Sequence, residues 1–161
     1  MDGSRLAIVV VMMLGAVPAG ARAQSIGVEH TAAAPSARVA AVPVPAGAAD
    51  EIARRWGIRI ESMRLTAAGY MLDFRYRVVD ARKAKPIFAR RTKPRLIDEA
   101  TGAVMLVPTP PKTGALRNSN DPKAGRSYFM FFANPGRLIA EGRTVTVTIG
   151  EFSVSGIRVA S

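Results

Sequence analysis

The chain has 161 residues, with 23 Lys plus Arg against 12 Asp plus Glu, a formal charge of +11, no Cys and one His. That length suits one compact domain with a short appendage. The absence of Cys excludes a disulfide framework, thiol chemistry, iron–sulfur clusters, c-type haem attachment and a lipidated cysteine anchor, and a lone His disfavours both a Ser-His-Asp triad and a multi-histidine metal site.

At the N-terminus Arg5 precedes an apolar run over residues 6–17 that gives way to small residues, with Ala21-Arg22-Ala23 before Gln24. This is the layout of a secretory signal peptide over residues 1–23, cleaved after Ala23. The run is shorter than the roughly 20 residues a permanent spanning helix needs, and an uncleaved N-terminal anchor is the alternative. No second long apolar run follows, so no transmembrane segment is expected after cleavage. The expected address is the periplasm or the extracellular space.

Residues 24–49 are rich in Ala, Pro and Val, with Pro35, Pro43 and Pro45 closely spaced. Such composition predicts a flexible, semi-extended tether. His30 lies in it, where a lone imidazole cannot hold a metal or a base in fixed geometry, and it is assigned no role.

The folded domain is expected over residues 50–161. Asp50-Glu51 before Ile52-Ala53-Arg54-Arg55-Trp56 predicts one or two helical turns, ended by Gly57. From there the period is two. Apolar residues at 70, 72, 74, 76 and 78 alternate with Asp73, Arg75 and Arg77, so one face of that strand is buried and the other wet, Asp73 being read as an exposed residue. Before it, Ile58 and Ile60 give way to Met63 and Leu65, a one-residue phase shift that predicts a β-bulge at Glu61-Ser62. Ala67-Ala68-Gly69 supplies the intervening turn, with Gly69 available for a positive φ.

Arg95-Leu96-Ile97 and Ala103-Val104-Met105-Leu106-Val107 flank Asp98-Glu99-Ala100-Thr101-Gly102 and predict a hairpin. Pro108, Pro110 and Pro111 stop the second strand, and residues 112–125 form a long polar loop. Tyr128-Phe129-Met130-Phe131-Phe132 is apolar on both pleat faces and predicts a central strand covered on each side. Residues 144–149 alternate again. Phe152 and Val154, then Ile157 and Val159, repeat the phase shift at Ser155-Gly156 and complete a terminal strand pair.

About seven short strands, with no helix beyond the opening turns, predict an all-β fold, an antiparallel β-sandwich of immunoglobulin-like type. A small open barrel is the rival. The stretch Trp56-Gly57-Ile58 through Thr66-Ala67-Ala68-Gly69-Tyr70-Met71-Leu72-Asp73-Phe74-Arg75-Tyr76-Arg77-Val78, with Pro122-Lys123-Ala124-Gly125-Arg126 and Phe132-Ala133-Asn134-Pro135-Gly136, resembles a group of uncharacterised exported bacterial proteins with an immunoglobulin-like β-sandwich domain. The resemblance spans most of residues 50–159. It implies an extracytoplasmic β-domain and carries no catalytic residue.

Charge is unevenly placed. Residues 75–95 hold nine basic groups, Arg75, Arg77, Arg82, Lys83, Lys85, Arg90, Arg91, Lys93 and Arg95, against Asp80 alone. Like charges at this density repel unless anions sit nearby. These nine form the candidate surface for an anionic envelope polymer or an acidic protein; nucleic acid is not expected as a partner of an exported chain. The plainer reading is a solvated basic surface that keeps the protein soluble.

Enzymatic activity is not expected. Asp73, Asp80, Asp98 and Glu99 are the only mid-chain acids; Asp98-Glu99 reads as turn chemistry, and no G-x-S-x-G, S-x-x-K, G-x-G-x-x-G or P-loop motif occurs. Met63, Met71, Met105 and Met130 sit among Leu, Val and Phe at strand spacing and read as core packing rather than a copper site. No metal or cofactor is expected. The sequence thus points to a non-enzymatic binding or assembly module acting through its cations, or else to a structural accessory domain of a larger envelope complex, held through sheet edges.

Overall fold

The computed structural model describes residue 44 and residues 46–161; the expected signal peptide, and all but the end of the expected tether, lie outside the described residues. The elements in chain order are α1 (Ala46–Trp56), β1 (Ile58–Thr66), β2 (Met71–Val78), α2 (Ala81–Phe88), β3 (Arg95–Asp98), β4 (Val104–Leu106), β5 (Ser127–Ala133), β6 (Thr144–Ile149) and β7 (Phe152–Arg158). The strands make two antiparallel sheets, one ordered β1-β2-β5 and the other β4-β3-β6-β7. The fold is an all-β sandwich of seven strands, and the two separate sheets dispose of the barrel.

Alternation builds the core between the layers. Met63, Leu72, Phe74, Tyr76, Met130 and Phe132 from the first sheet and Leu96, Val145, Val147, Phe152 and Ile157 from the second are all buried. Met105 is buried too and Met71 half-buried, so the methionines serve packing.

Both phase shifts are bulges. The β1–β2 register slips between Ile60 and Ser62. On β7 Val154 and Ile157 are three positions apart while their partners Val147 and Val145 are two apart, which places the extra residue at Ser155-Gly156. Gly156 has φ +75°, as such a bulge demands.

The β1–β2 turn is tighter than its single glycine implies. Ala67, Ala68 and Gly69 all take left-handed φ values of 50°, 54° and 87°. A buried Asn134 secures this end: its amide donates to the carbonyls of Gly69 and Ile139, each at 2.8 Å, and its Oδ1 accepts from the Ile139 N–H at 3.0 Å.

Four expectations are corrected. The helix α1 begins at Ala46, so residues 46–49 are not tether; three of the four are Ala, the best helix former, and Ile52 anchors the helix in the core. A second helix, α2, occupies a stretch read as loop. The strand β5 is not central: only Tyr128, Met130 and Phe132 point inward, while Phe129 is 36% exposed. Its outer edge is taken by the loop, through Phe131 N–H to the Leu116 carbonyl and Asn118 N–H to the Phe129 carbonyl. Asp73 is 8% exposed rather than wet, because Arg64 and Phe131 stand directly beside it on the neighbouring strands and Arg75 Nε donates to it at 2.8 Å.

Asp98 is fully buried and holds the β3–β4 hairpin. It accepts two hydrogen bonds from Arg143 and one from Thr101 Oγ1 at 2.5 Å, and these bonds, that from Arg143 foremost, hold its carboxyl below the usual range. Glu99 accepts from Thr146 Oγ1 and from the Gly156 N–H, each at 2.8 Å, which ties the hairpin to the β7 bulge.

Two stability outcomes follow. Gly57 has φ +64°, and a Cβ there would lie 2.4 Å from the Asp80 carbonyl oxygen, so Gly57→Ala should cost about 2–4 kcal/mol and lower the urea midpoint accordingly. The folded pKa of Asp98 lies below its unfolded value of about 3.9. Its contribution is therefore complete above that value and is lost as pH falls through the folded pKa. Arg143→Gln should cost about 2 kcal/mol at neutral pH, less than a fully buried pair because the guanidinium is 35% exposed, and denaturant melts at neutral pH and below pH 4 should show this loss shrinking in acid.

Candidate anion-binding surface

The basic segment begins where β2 ends. Asp80 caps α2: its Oδ1 accepts the N–H groups of Arg82 at 2.9 Å and Lys83 at 3.2 Å. The bond from Lys83 is the main cause holding its carboxyl below the ordinary range. Ala84, Ile87 and Phe88 face the core at helical spacing, which leaves Arg82, Lys83 and Lys85 outside. Phe88 is the anchor. Its ring lies 4.7 Å from that of Tyr128 and 6.0 Å from that of Tyr76, both edge-to-face.

Beyond α2 the chain turns on one carbonyl. The Ala89 oxygen accepts the Thr92 N–H at 3.0 Å and Nη2 of Arg117 at 2.7 Å. Pro94 is buried, and β3 starts at Arg95, which stands opposite Leu106 and Thr148.

The nine sequence-selected cations separate into three groups. Arg75 and Arg77 lie on the outer face of the first sheet, each paired at 2.8 Å, with Asp73 and Glu61 respectively. On α2, Lys83 Nζ donates to the Arg54 carbonyl at 2.7 Å and so secures the end of α1, while Arg82 and Lys85 are exposed. Arg90, Arg91, Lys93 and Arg95 come together beside two adjoining clefts, and none of the four has an acidic partner among the described residues.

One cleft, of about 400 Å³, is bounded by Arg91, Lys93, Arg95 and Thr148; the other, of about 370 Å³, by Arg90, Lys93, Leu106, Val107 and Arg117. Neither is lined by a carboxylate. Sequence reasoning missed Arg117, which is 8% exposed and sits inside the long polar loop. Its neighbour Leu116 was the sole hint that this part of the loop turns inward.

No family model, curated protein or solved structure matches the chain. Among the described residues no helix is long and apolar enough to cross a membrane, and no group of three or more His, Cys, Asp or Glu side chains could hold a metal ion.

The clefts depend on the anchoring of α2. Phe88→Ala should cost about 3–5 kcal/mol, and hydrogen exchange should show residues 81–92 losing protection before the strands do.

Proposed function

We propose that this protein is an exported, non-enzymatic binding or assembly module whose basic end holds an anionic envelope polymer or an acidic protein. The observation that carries the reading is the convergence of Arg90, Arg91, Lys93 and Arg95 on two clefts that no carboxylate lines. Cations left unpaired on a rigid scaffold raise the local concentration of anions and speed their capture. The N-terminal leader pattern supports export, and export leaves glycopolymers, phospholipid headgroups and acidic proteins as the available anions.

The immunoglobulin-like assignment belongs to the same proposal. In that fold the first, second and fifth strands group against the third, sixth and seventh, and β1-β2-β5 facing β3-β6-β7 supports it. The fourth strand, β4, extends the second sheet beside β3 rather than joining β5 as in antibody constant domains. The likeness to uncharacterised exported bacterial proteins is part of this reading.

A second reading has its own observation. The strand β4 ends the second sheet and exposes Val104 by 51% and Leu106 by 55%, an edge suited to strand addition by a larger assembly.

Association with phosphatidylglycerol vesicles and with lipopolysaccharide, measured from low to physiological salt, separates the two. The charge reading expects binding that weakens as salt rises and falls at least about tenfold in R90E/R91E/K93E. Binding indifferent to both salt and these reversals overturns it. Capture from envelope extract that survives the reversals but is lost in V104K/L106K supports the edge reading.

A further inference from the structure

We propose that the cleft between residues 90–94 and the Arg117 loop is a specific site for a phosphate group, free or carried as a monoester, with Arg90, Lys93 and Arg117 as its charge-bearing residues. This rests on the anion-binding reading and narrows it from a basic surface to one pocket.

Arg117 is the reason to single out this cleft. The residue is 8% exposed; Nη2 donates to the Ala89 carbonyl, while Nη1 is buried with no hydrogen-bond partner among the described residues. No carboxylate pairs with it there. A buried cation without a counter-charge is costly, and burial indeed lowers the Arg117 pKa. The nearby Tyr76 phenol offers no compensation, since burial raises its pKa and keeps it neutral. An anion in the cleft would supply the missing charge.

The lining fits a phosphate ester better than a simple carboxylate. Arg90 and Lys93 add two cations to Arg117, which matches a group carrying up to two negative charges, and a guanidinium binds phosphate oxygens in a fork. Leu106 and Val107 give an apolar side for the carbon skeleton of the ester. The volume, about 370 Å³, lies within the range of small-molecule sites.

The test is calorimetry and amide chemical-shift mapping of the full chain, at fixed ionic strength, with inorganic phosphate, glycerol 3-phosphate and acetate. The site predicts saturable binding of the phosphates, shifts confined to residues 90–94 and 106–117, and weak or no binding of acetate. R90A/K93A should weaken binding about tenfold or more. Arg117→Lys should do the same while keeping a buried cation. The double variant alters only exposed side chains, so it decides the matter even if substitution at Arg117 unfolds the chain. R59A, at an exposed position of β1 outside the basic segment, should bind as the parent does.

Tighter binding of glycerol 3-phosphate than of inorganic phosphate assigns the site to an esterified headgroup; equal binding assigns it to free phosphate, and either supports the site. Unsaturable shifts spread over α2, or parental affinity in R90A/K93A, overturn it. Vesicle capture without phosphate binding removes this site and leaves the broader reading standing; phosphate binding without vesicle capture keeps the site and removes only the membrane surface as its anion.

Discussion

The chain first crosses between the sheets after β2, and most of the molecule's character follows from how it does so. Val78 ends in the first sheet and Arg95 starts in the second, and packed sheets stand about 10 Å apart. A bare loop over that gap would leave the core end open to water. The helix α2 closes it with Ala84, Ile87 and Phe88, and Phe88 docks on Tyr76 and Tyr128 from two strands. Because a two-turn helix with one face committed to the core has only its other face left, every cation in it must point outward. Burial and charge display are therefore one event.

Gly57 makes the crossing possible. Its carbonyl accepts the N–H groups of both Val79 and Asp80, and its missing Cβ leaves room for the Asp80 backbone. The end of α1 and the start of α2 thus share one joint, and Lys83 strengthens it by donating to the Arg54 carbonyl. Some cations in the run are structural, then, and others are not. Arg75, Arg77 and Lys83 answer to partners within the fold, whereas Arg90, Arg91, Lys93 and Arg95 have no acidic partner among the described residues. Exposed ion pairs contribute little stability, so the pairing matters here chiefly because it shows which positive charge remains for something outside the chain.

The strands were legible because alternation is a local property of the sequence. Even the bulges at Glu61-Ser62 and Ser155-Gly156 could be read, since one extra residue inverts the phase of everything beyond it. The second helix was hidden by its brevity and by Pro86, which stands within it. Five consecutive apolar residues in β5 cannot tell a central strand from an edge strand whose open side is covered by its own loop, because that depends on where residues 116–118 travel. Arg117 was illegible for the same reason. Residue type predicts exposure for an arginine, and only the tertiary path that brings it under Ala89 reverses that.

The two ends of the sandwich consequently do different work. At the hairpin end, left-handed Ala67 and Ala68 are held by the hydrogen bonds of Asn134, a fully satisfied side chain whose donors and acceptor are spent inside the protein. At the opposite end the equivalent connector is Arg117, which also ties two segments together through a backbone carbonyl. It differs in carrying a charge and in leaving one nitrogen unmatched. An amide would have joined the Ala89 turn to the loop at lower cost of burial, so a cation at this position calls for a reason beyond cohesion. The flanking Arg90 and Lys93 make the same demand on the surroundings, and an anion seated among the three would satisfy it.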